Sequence, residues 1–528
     1  MPSHQVDDIR DHQPLLAEDR DESREGSTEY PPDDRHAQAQ GSFTRNLGAV
    51  EAFGIVVSIV IGSGVFTSPG SIDTNVPSPG IALLIWLVGG GLAWTGATTF
   101  AELGTAIPGE GGVQPYLQHI FGPVFGFLAA WTWIVAIMPA TLAILSIAFA
   151  ESAFSAAGVT DASDTVEHKL LSIMVLIGMS VANSISTKAS TRLNNFFVVT
   201  KFFSILVVVV AAVAVIGIHL AQPNREIGGE EWFSQSWFSW RKTLNPDGTE
   251  TDWTQLSQWE IFGHYSAALY AALWAYSGWD KAIYVTSELS QPAKQLPLAI
   301  NTSIPTAIVC FFFANAGYYI LLPWKVVSTT DSVAVTAITL LLGRGFGILM
   351  AILVCLVIAG SLLGNSFVAS RMTVAAAKKG WIPDYFTIVG RVGFTVDSDT
   401  NHSRDSQGKT SDAPINAVIL SALLGTMYIL FGDFRALLTL NGLAEFSFFF
   451  LTVLGAIILR YREPKLHRPY KTYSFNPILF VLVSGFVIVR GALFAPQQAL
   501  VIIVVWALGL ILYKGKQMIW ARTSSKMA

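Results

Sequence analysis

The chain has 528 residues, of which 52% are hydrophobic and 13% charged, with a formal net charge of −4 and a mean hydropathy of +0.49. Soluble domains carry roughly 25% charged residues, so a water-facing enzyme is excluded, and recurring apolar runs of about 20 residues mark an all-α polytopic membrane protein. About a dozen helices of ~22 residues use half of the chain and leave two tails and modest loops. Any chemistry must then sit inside the bundle.

Residues 1–46 read as a disordered acidic cytosolic tail, with no long apolar run and no basic-then-apolar signal peptide. Within it, Asp11-His12-Gln13-Pro14-Leu15-Leu16 fits an acidic dileucine sorting pattern in Asp11, Leu15 and Leu16, which keeps a vacuolar or endosomal address open beside the plasma membrane. Hydropathy then places spans near 47–73, 80–106, 121–153, 168–187, 192–220, 260–289, 297–322, 346–378, 413–431, 435–459, 475–495 and 498–513, with a short cytosolic tail over 514–528. Twelve spans put both ends on one side. Basic residues such as Lys188, Lys294, Lys378, Lys379, Arg460, Arg462 and Lys514 fall in alternate loops, which makes those loops and both termini cytosolic. The longest loop of the opposite set, 221–258, holds Trp232, Trp237, Trp240 and Trp253, as an interface-hugging outer segment would.

Two spans are interrupted alike. Ile61-Gly62-Ser63-Gly64 breaks the first and Trp274-Ala275-Tyr276-Ser277-Gly278 breaks the sixth, five spans later. Glycine can merely permit close helix packing, but matched interruptions in two halves point to an inverted-repeat transporter with its site at the midplane. Repeat one covers about 47–220 and repeat two about 260–459, and the last two helices, about 475–513, lie outside. A helix broken in hydrocarbon frees backbone groups that cost several kcal/mol each, so polar contents are required. The N–H groups after Gly64, with Ser63, suit a carboxylate. Carbonyls around Val60 and Ile61, and from Trp274 through Ala275 to Ser277, suit a protonated amine, and together these describe an α-amino acid as substrate. No cofactor, metal or nucleic-acid partner is expected; the partners are the substrate and the lipid bilayer.

Gly62-Ser63-Gly64-Val65-Phe66 with Ser68-Pro69-Gly70, Ala101-Glu102-Leu103-Gly104, Ala275-Tyr276-Ser277-Gly278-Trp279 with Leu296-Pro297-Leu298-Ala299, and Leu459-Arg460-Tyr461-Arg462 with Arg468-Pro469-Tyr470 occur in this order. The pattern resembles the L-type amino-acid transporter branch of the amino acid-polyamine-organocation superfamily, from about residue 45 to 475. The resemblance implies a LeuT-like 5+5 inverted repeat with discontinuous helices 1 and 6. It also implies that Ser63 and Gly64 hold the substrate carboxylate, that the Val60 and Ser277 carbonyls hold the amine, and that Trp274 is a lid. Animal members pair with a single-span glycoprotein through a cysteine between spans 3 and 4. Here 154–167 has none, and Cys310 and Cys355 both lie in apolar runs. The chain thus looks like a free-standing microbial, fungal-type relative with no disulfide-linked heavy chain. Ser277 stands where relatives preferring cationic substrates can carry aspartate, which leans towards neutral amino acids.

Charges within spans are costly, about 2.5 to 3.5 kcal/mol each, and hence functional candidates. By the same resemblance, Lys201 fills the space that sodium-coupled relatives use for a cation, implying sodium-independent proton symport or exchange; the alternative is a lysine snorkelling to the membrane face. Asp280 and Glu445 are further coupling candidates. Asp280 and its neighbour Lys281 point about 100° apart on a helix, so adjacency alone does not pair them, and either could face the cavity. Glu102 and Arg371 read either as gating charges or as surface charges. The expected function is sodium-independent secondary transport of neutral L-amino acids. A sodium-coupled symporter of the same fold and an amino-acid-binding nutrient receptor are the rivals.

Overall fold

Apolar segments with no water to bond their amides must bond them internally, and in the computed structural model of the chain they do so as helices. The described residues run from 47 to 527, except 108, 158–164, 186, 224, 226, 246–247, 331, 390–412 and 433. The acidic tail 1–46 and the sorting candidates Asp11, Leu15 and Leu16 lie outside them.

In chain order, α1 (Ala49–Val60) and α2 (Gly64–Asp73) form one span bent by 42° at its break. They are followed by α3 (Pro79–Ala106), the amphipathic α4 (Val113–Phe121), α5 (Pro123–Ala157), α6 (Val166–Ile185) and α7 (Thr187–Ala221). The second half opens with α8 (Gln258–Ala275), which after a break continues as a 3₁₀ segment, Trp279–Glu288. Then come α9 (Pro292–Leu321), α10 (Arg344–Lys378), α11 (Ile415–Phe431), α12 (Phe434–Arg462), α13 (Phe475–Phe494) and α14 (Pro496–Met527). Among the described residues, nine helices are long and apolar enough to cross a membrane by themselves, and the bent α1–α2 pair makes ten. The broken α8 segment and the shorter α11 occupy the places expected for the sixth and ninth spans. The helix α14 runs on through Lys514, across the segment read as a tail.

Local signals set the boundaries. Ser78 accepts from the Ile81 amide, and Pro79 starts α3 at the position where a missing N–H costs nothing. Ser257 and Glu260 form a reciprocal capping box for α8. Within α5, Pro139 cannot donate to the carbonyl of Val135, and the helix loosens into a π turn over Trp133–Ile137. Tyr428 on α11 donates to that freed carbonyl at 3.0 Å.

The core gathers around α5, whose apolar window is 83% buried, against 11% for the peripheral α14. α10 packs on α5 and α7, while α9 packs on α3 and α1. The exposed leucines, valines and phenylalanines of α6, α7, α13 and α14 then face lipid. At one end, residues 222–257 fold over α2. A short hairpin pairs β1 (Thr243–Leu244) with β2 (Glu250–Thr251), and Trp253 is buried beneath it, donating to Thr243 Oγ1 at 2.8 Å.

Candidate functional site

The two breaks abut. A Cβ on Gly64 would lie 2.6 Å from Ala275 Cα, and one on Gly278 would lie 2.4 Å from Ile59 Cγ2, while Gly278 also holds φ = +101°. Only glycine permits both the left-handed turn and the close approach. Between them lies a cavity of about 50 Å³ lined by Val60, Gly62, Ser63 and Gly64 from the first break and Trp274, Ala275, Ser277 and Gly278 from the second. The Ser63 carbonyl accepts from Phe66 and Thr67, so the N–H groups of Gly64 and Val65 begin α2 without an intrahelical acceptor. That is the anion-binding end of a helix.

The first break departs from the sequence expectation at Ile61. It lies outside the cavity lining, and its carbonyl accepts from Lys201 Nζ at 2.5 Å rather than facing a substrate amine. Lys201 does not snorkel. Its side chain is fully buried and also donates to Ser58 O at 2.6 Å, Val357 O at 3.0 Å and Ser361 Oγ at 2.7 Å. The ammonium thus ties α7 and α10 to the end of α1, in the middle of the carbonyls that the break frees.

Asp280 and Lys281, whose pairing adjacency alone left open, do pair. Lys281 Nζ donates to Asp280 Oδ2 at 2.9 Å and to Glu445 Oε1 at 2.7 Å, all three side chains being nearly inaccessible. Burial decides this: a charge stripped of water must find its counter-charge, and the four-carbon lysine stem spans the offset. Glu445 and Lys281 line the cavity, whereas Asp280 sits behind them. Ser277 Oγ donates to Glu445 Oε2 at 3.2 Å, joining the second break to α12. Sequence reasoning missed the rest of the wall, namely Ile59 of α1, Thr141 and Leu145 of α5, Asn365 of α10 and Asn441 of α12. The two asparagines carry a readable signal, since an amide within an apolar span is itself an expensive exception. Thr141 Oγ1 donates to Asn441 Oδ1 at 3.2 Å, one turn past the π turn.

The amino acid permease family profile matches residues 47–513, the whole bundle from two residues before α1 into α14. The chain belongs to the amino acid permease family. Its motifs place it in the L-type branch of the amino acid-polyamine-organocation superfamily, and it is an amino acid transporter, not an enzyme. It is 29% identical over 473 residues to the human b(0,+)-type amino acid transporter 1, covering 89% of this chain and 88% of that protein. It is 28% identical over 462 residues to the mouse Asc-type amino acid transporter 1, covering 87% and 79%. The mouse large neutral amino acids transporter small subunit 2 is 28% identical over 467 residues, covering 87% and 80%.

Both ends of the permease are latched. At the 222–257 end, Asp73 at the close of α2 is fully buried, taking two 2.6 Å bonds from Arg241 and one from the Tyr319 hydroxyl at 2.6 Å. At the opposite end, Leu47 N donates to Glu288 O at 2.9 Å and Ser290 N to Leu47 O at 3.0 Å, clamping α1 to the end of the 3₁₀ segment. Glu288 in turn accepts from Arg371 at 2.8 Å. Glu102 is held by Arg460 at 2.5 Å and Arg468 at 3.4 Å. Glu102 and Arg371 are therefore buried ionic partners of other residues, not surface charges.

Proposed function

We propose that the permease is a sodium-independent secondary transporter of neutral L-amino acids, working by proton symport or exchange through alternating access. The observation that carries this reading is the meeting of two broken helices around one cavity. The amides of Gly64 and Val65, with Ser63, receive the carboxylate; the main chain at Val60 and from Trp274 to Ser277 receives the amine; and Trp274 covers the side chain. Lys201 supports sodium independence, because its ammonium already occupies the group of oxygens a cation would need. Asp280 and Glu445 are the further candidates for coupling. Alternating access requires the Asp73–Arg241 and Glu288–Arg371 latches to open in turn.

The termini face the cytosol and the 222–257 segment the outside, most simply in the plasma membrane, with Asp11, Leu15 and Leu16 as a route to a vacuolar or endosomal one. One relative is named a small subunit; the absence of cysteine between α5 and α6 supports a chain that needs no disulfide-linked heavy chain. The test is uptake into proteoliposomes against a panel of amino acids, with sodium, the pH gradient and internal amino acid varied independently. Neutral amino acids should compete without sodium, and stimulation by a pH gradient or by internal amino acid separates symport from exchange. Strict sodium dependence, or no competition by any amino acid, overturns the reading.

A further inference from the structure

The sequence leans to neutral substrates because Ser277 stands where an aspartate could attract a cation. The folded chain nevertheless has a carboxylate at that spot, supplied from 168 residues away: Ser277 Oγ donates to Glu445 Oε2, and Glu445 lines the cavity. What separates this arrangement from a cation-binding pocket is Lys281. Its ammonium lies 2.7 Å from the other Glu445 oxygen and 2.9 Å from Asp280 Oδ2, bridging the two carboxylates.

We infer that Lys281 is a specificity-determining residue: its ammonium is a resident cation in the place that the side chain of a lysine-, ornithine- or arginine-type substrate would have to take. This rests on the reading of the permease as a neutral amino-acid transporter and names the residue that makes it so. Three features carry the inference. Lys281 and Glu445 are each 2% exposed, so a second cation brought beside the first meets it in a weakly screened interior. The backbone of Lys281 lies three residues past Gly278, its amide donating to the Gly278 carbonyl, so the cation is held on the second break and cannot withdraw with a distant helix. The neighbouring wall, Thr141, Asn365 and Asn441, is neutral and polar and offers hydrogen bonds to an uncharged side chain. With Lys281 removed, Glu445 remains on the cavity wall without its counter-cation, Asp280 lies behind it, and a substrate ammonium can pair with Glu445 in place of Lys281.

The test is competition by unlabelled lysine or glutamine for uptake of a labelled neutral amino acid. It compares the wild type with Lys281→Met, Lys281→Met/Glu445→Gln and Glu445→Gln. Like-charge contact in a desolvated site is strongly unfavourable, so in the wild type lysine should compete about a hundredfold less well than glutamine. Lys281→Met should narrow that gap by roughly tenfold or more, and the double variant, with Glu445 neutral, should restore it. Equal competition by lysine and glutamine in the wild type overturns the proposal whether or not any variant folds. So does a Lys281→Met protein that still carries neutral amino acids and remains blind to lysine. Glu445→Gln keeps the resident cation and should keep lysine out; admission of lysine there also overturns it. If no amino acid competes with any of the proteins, the transport reading itself fails, a result distinct from loss of selectivity alone.

Discussion

Replacing Lys201 with methionine keeps an unbranched side chain but removes the three N–H donors that four oxygens share at the first helix break. The loss falls unevenly. The single O–H of Ser361 can still serve Ser58 O at 2.9 Å or, less well, Val357 O at 3.4 Å. Ile61 O, at the end of α1, keeps no other donor among the described residues. A buried carbonyl left in this way costs about 1–3 kcal/mol, and the cost falls between Val60 and Gly62, which line the cavity. Uptake should therefore drop by about tenfold or more, the factor that 1.4 kcal/mol corresponds to, with a fall of a few degrees in thermal stability. Initial uptake rates at matched protein amounts, with thermal denaturation followed by size-exclusion chromatography, measure both. Wild-type rates together with a wild-type transition would refute the claim that Lys201 holds the break. Sodium-stimulated uptake by the wild type would refute the claim that its ammonium stands in place of a cation.

Asp73→Asn leaves the Arg241 guanidinium facing a neutral amide, and breaking a buried pair on one side costs about 3–5 kcal/mol. The 222–257 segment should become sensitive to limited proteolysis, and Arg241→Met added to Asp73→Asn should recover part of the stability. Gly64→Ala drives a methyl to 2.6 Å from Ala275 Cα, so uptake should be lost while the protein still reaches the membrane, as surface labelling would show. Gly278→Ala meets Ile59 Cγ2 at 2.4 Å with φ held at +101°; left-handed backbone alone costs about 1–2 kcal/mol, and a lower melting temperature than for Gly64→Ala is expected. Arg371→Met strands Glu288 beside the Leu47–Leu289 clamp, and a cysteine placed on α1 should then react faster with a soluble thiol reagent applied from that end.

Much of the fold was legible because its signals are local. The expected break at Gly62-Ser63-Gly64 is where α1 ends and α2 begins, and the break at Tyr276-Ser277-Gly278 is where α8 ends, since glycine placement and the hydrocarbon requirement act within a few residues. The seven substrate candidates other than Ile61 share one cavity for the same reason. Ile61 differs because the acceptor role of its carbonyl depends on where a lysine 140 residues away is packed. Pairing of Asp280 with Lys281 was illegible because it depends on a third charge, Glu445, brought in by α12. The π turn in α5 was readable in principle from Pro139, but its use, presenting Thr141 to Asn441, was not.

Composition, hydropathy and glycine placement by themselves determined the solvent, the helical class and the two points where helices break, because each follows from how a stretch of chain satisfies its own backbone in hydrocarbon. Tertiary structure alone decided which carbonyls near the first break Lys201 occupies and which of the buried charges pair. Lys201 meets Ser58 across 143 residues and Ser277 meets Glu445 across 168. Such contacts are set by the packing of whole helices, and a charge in a dry interior is defined by the partner packing gives it rather than by its neighbours in the chain.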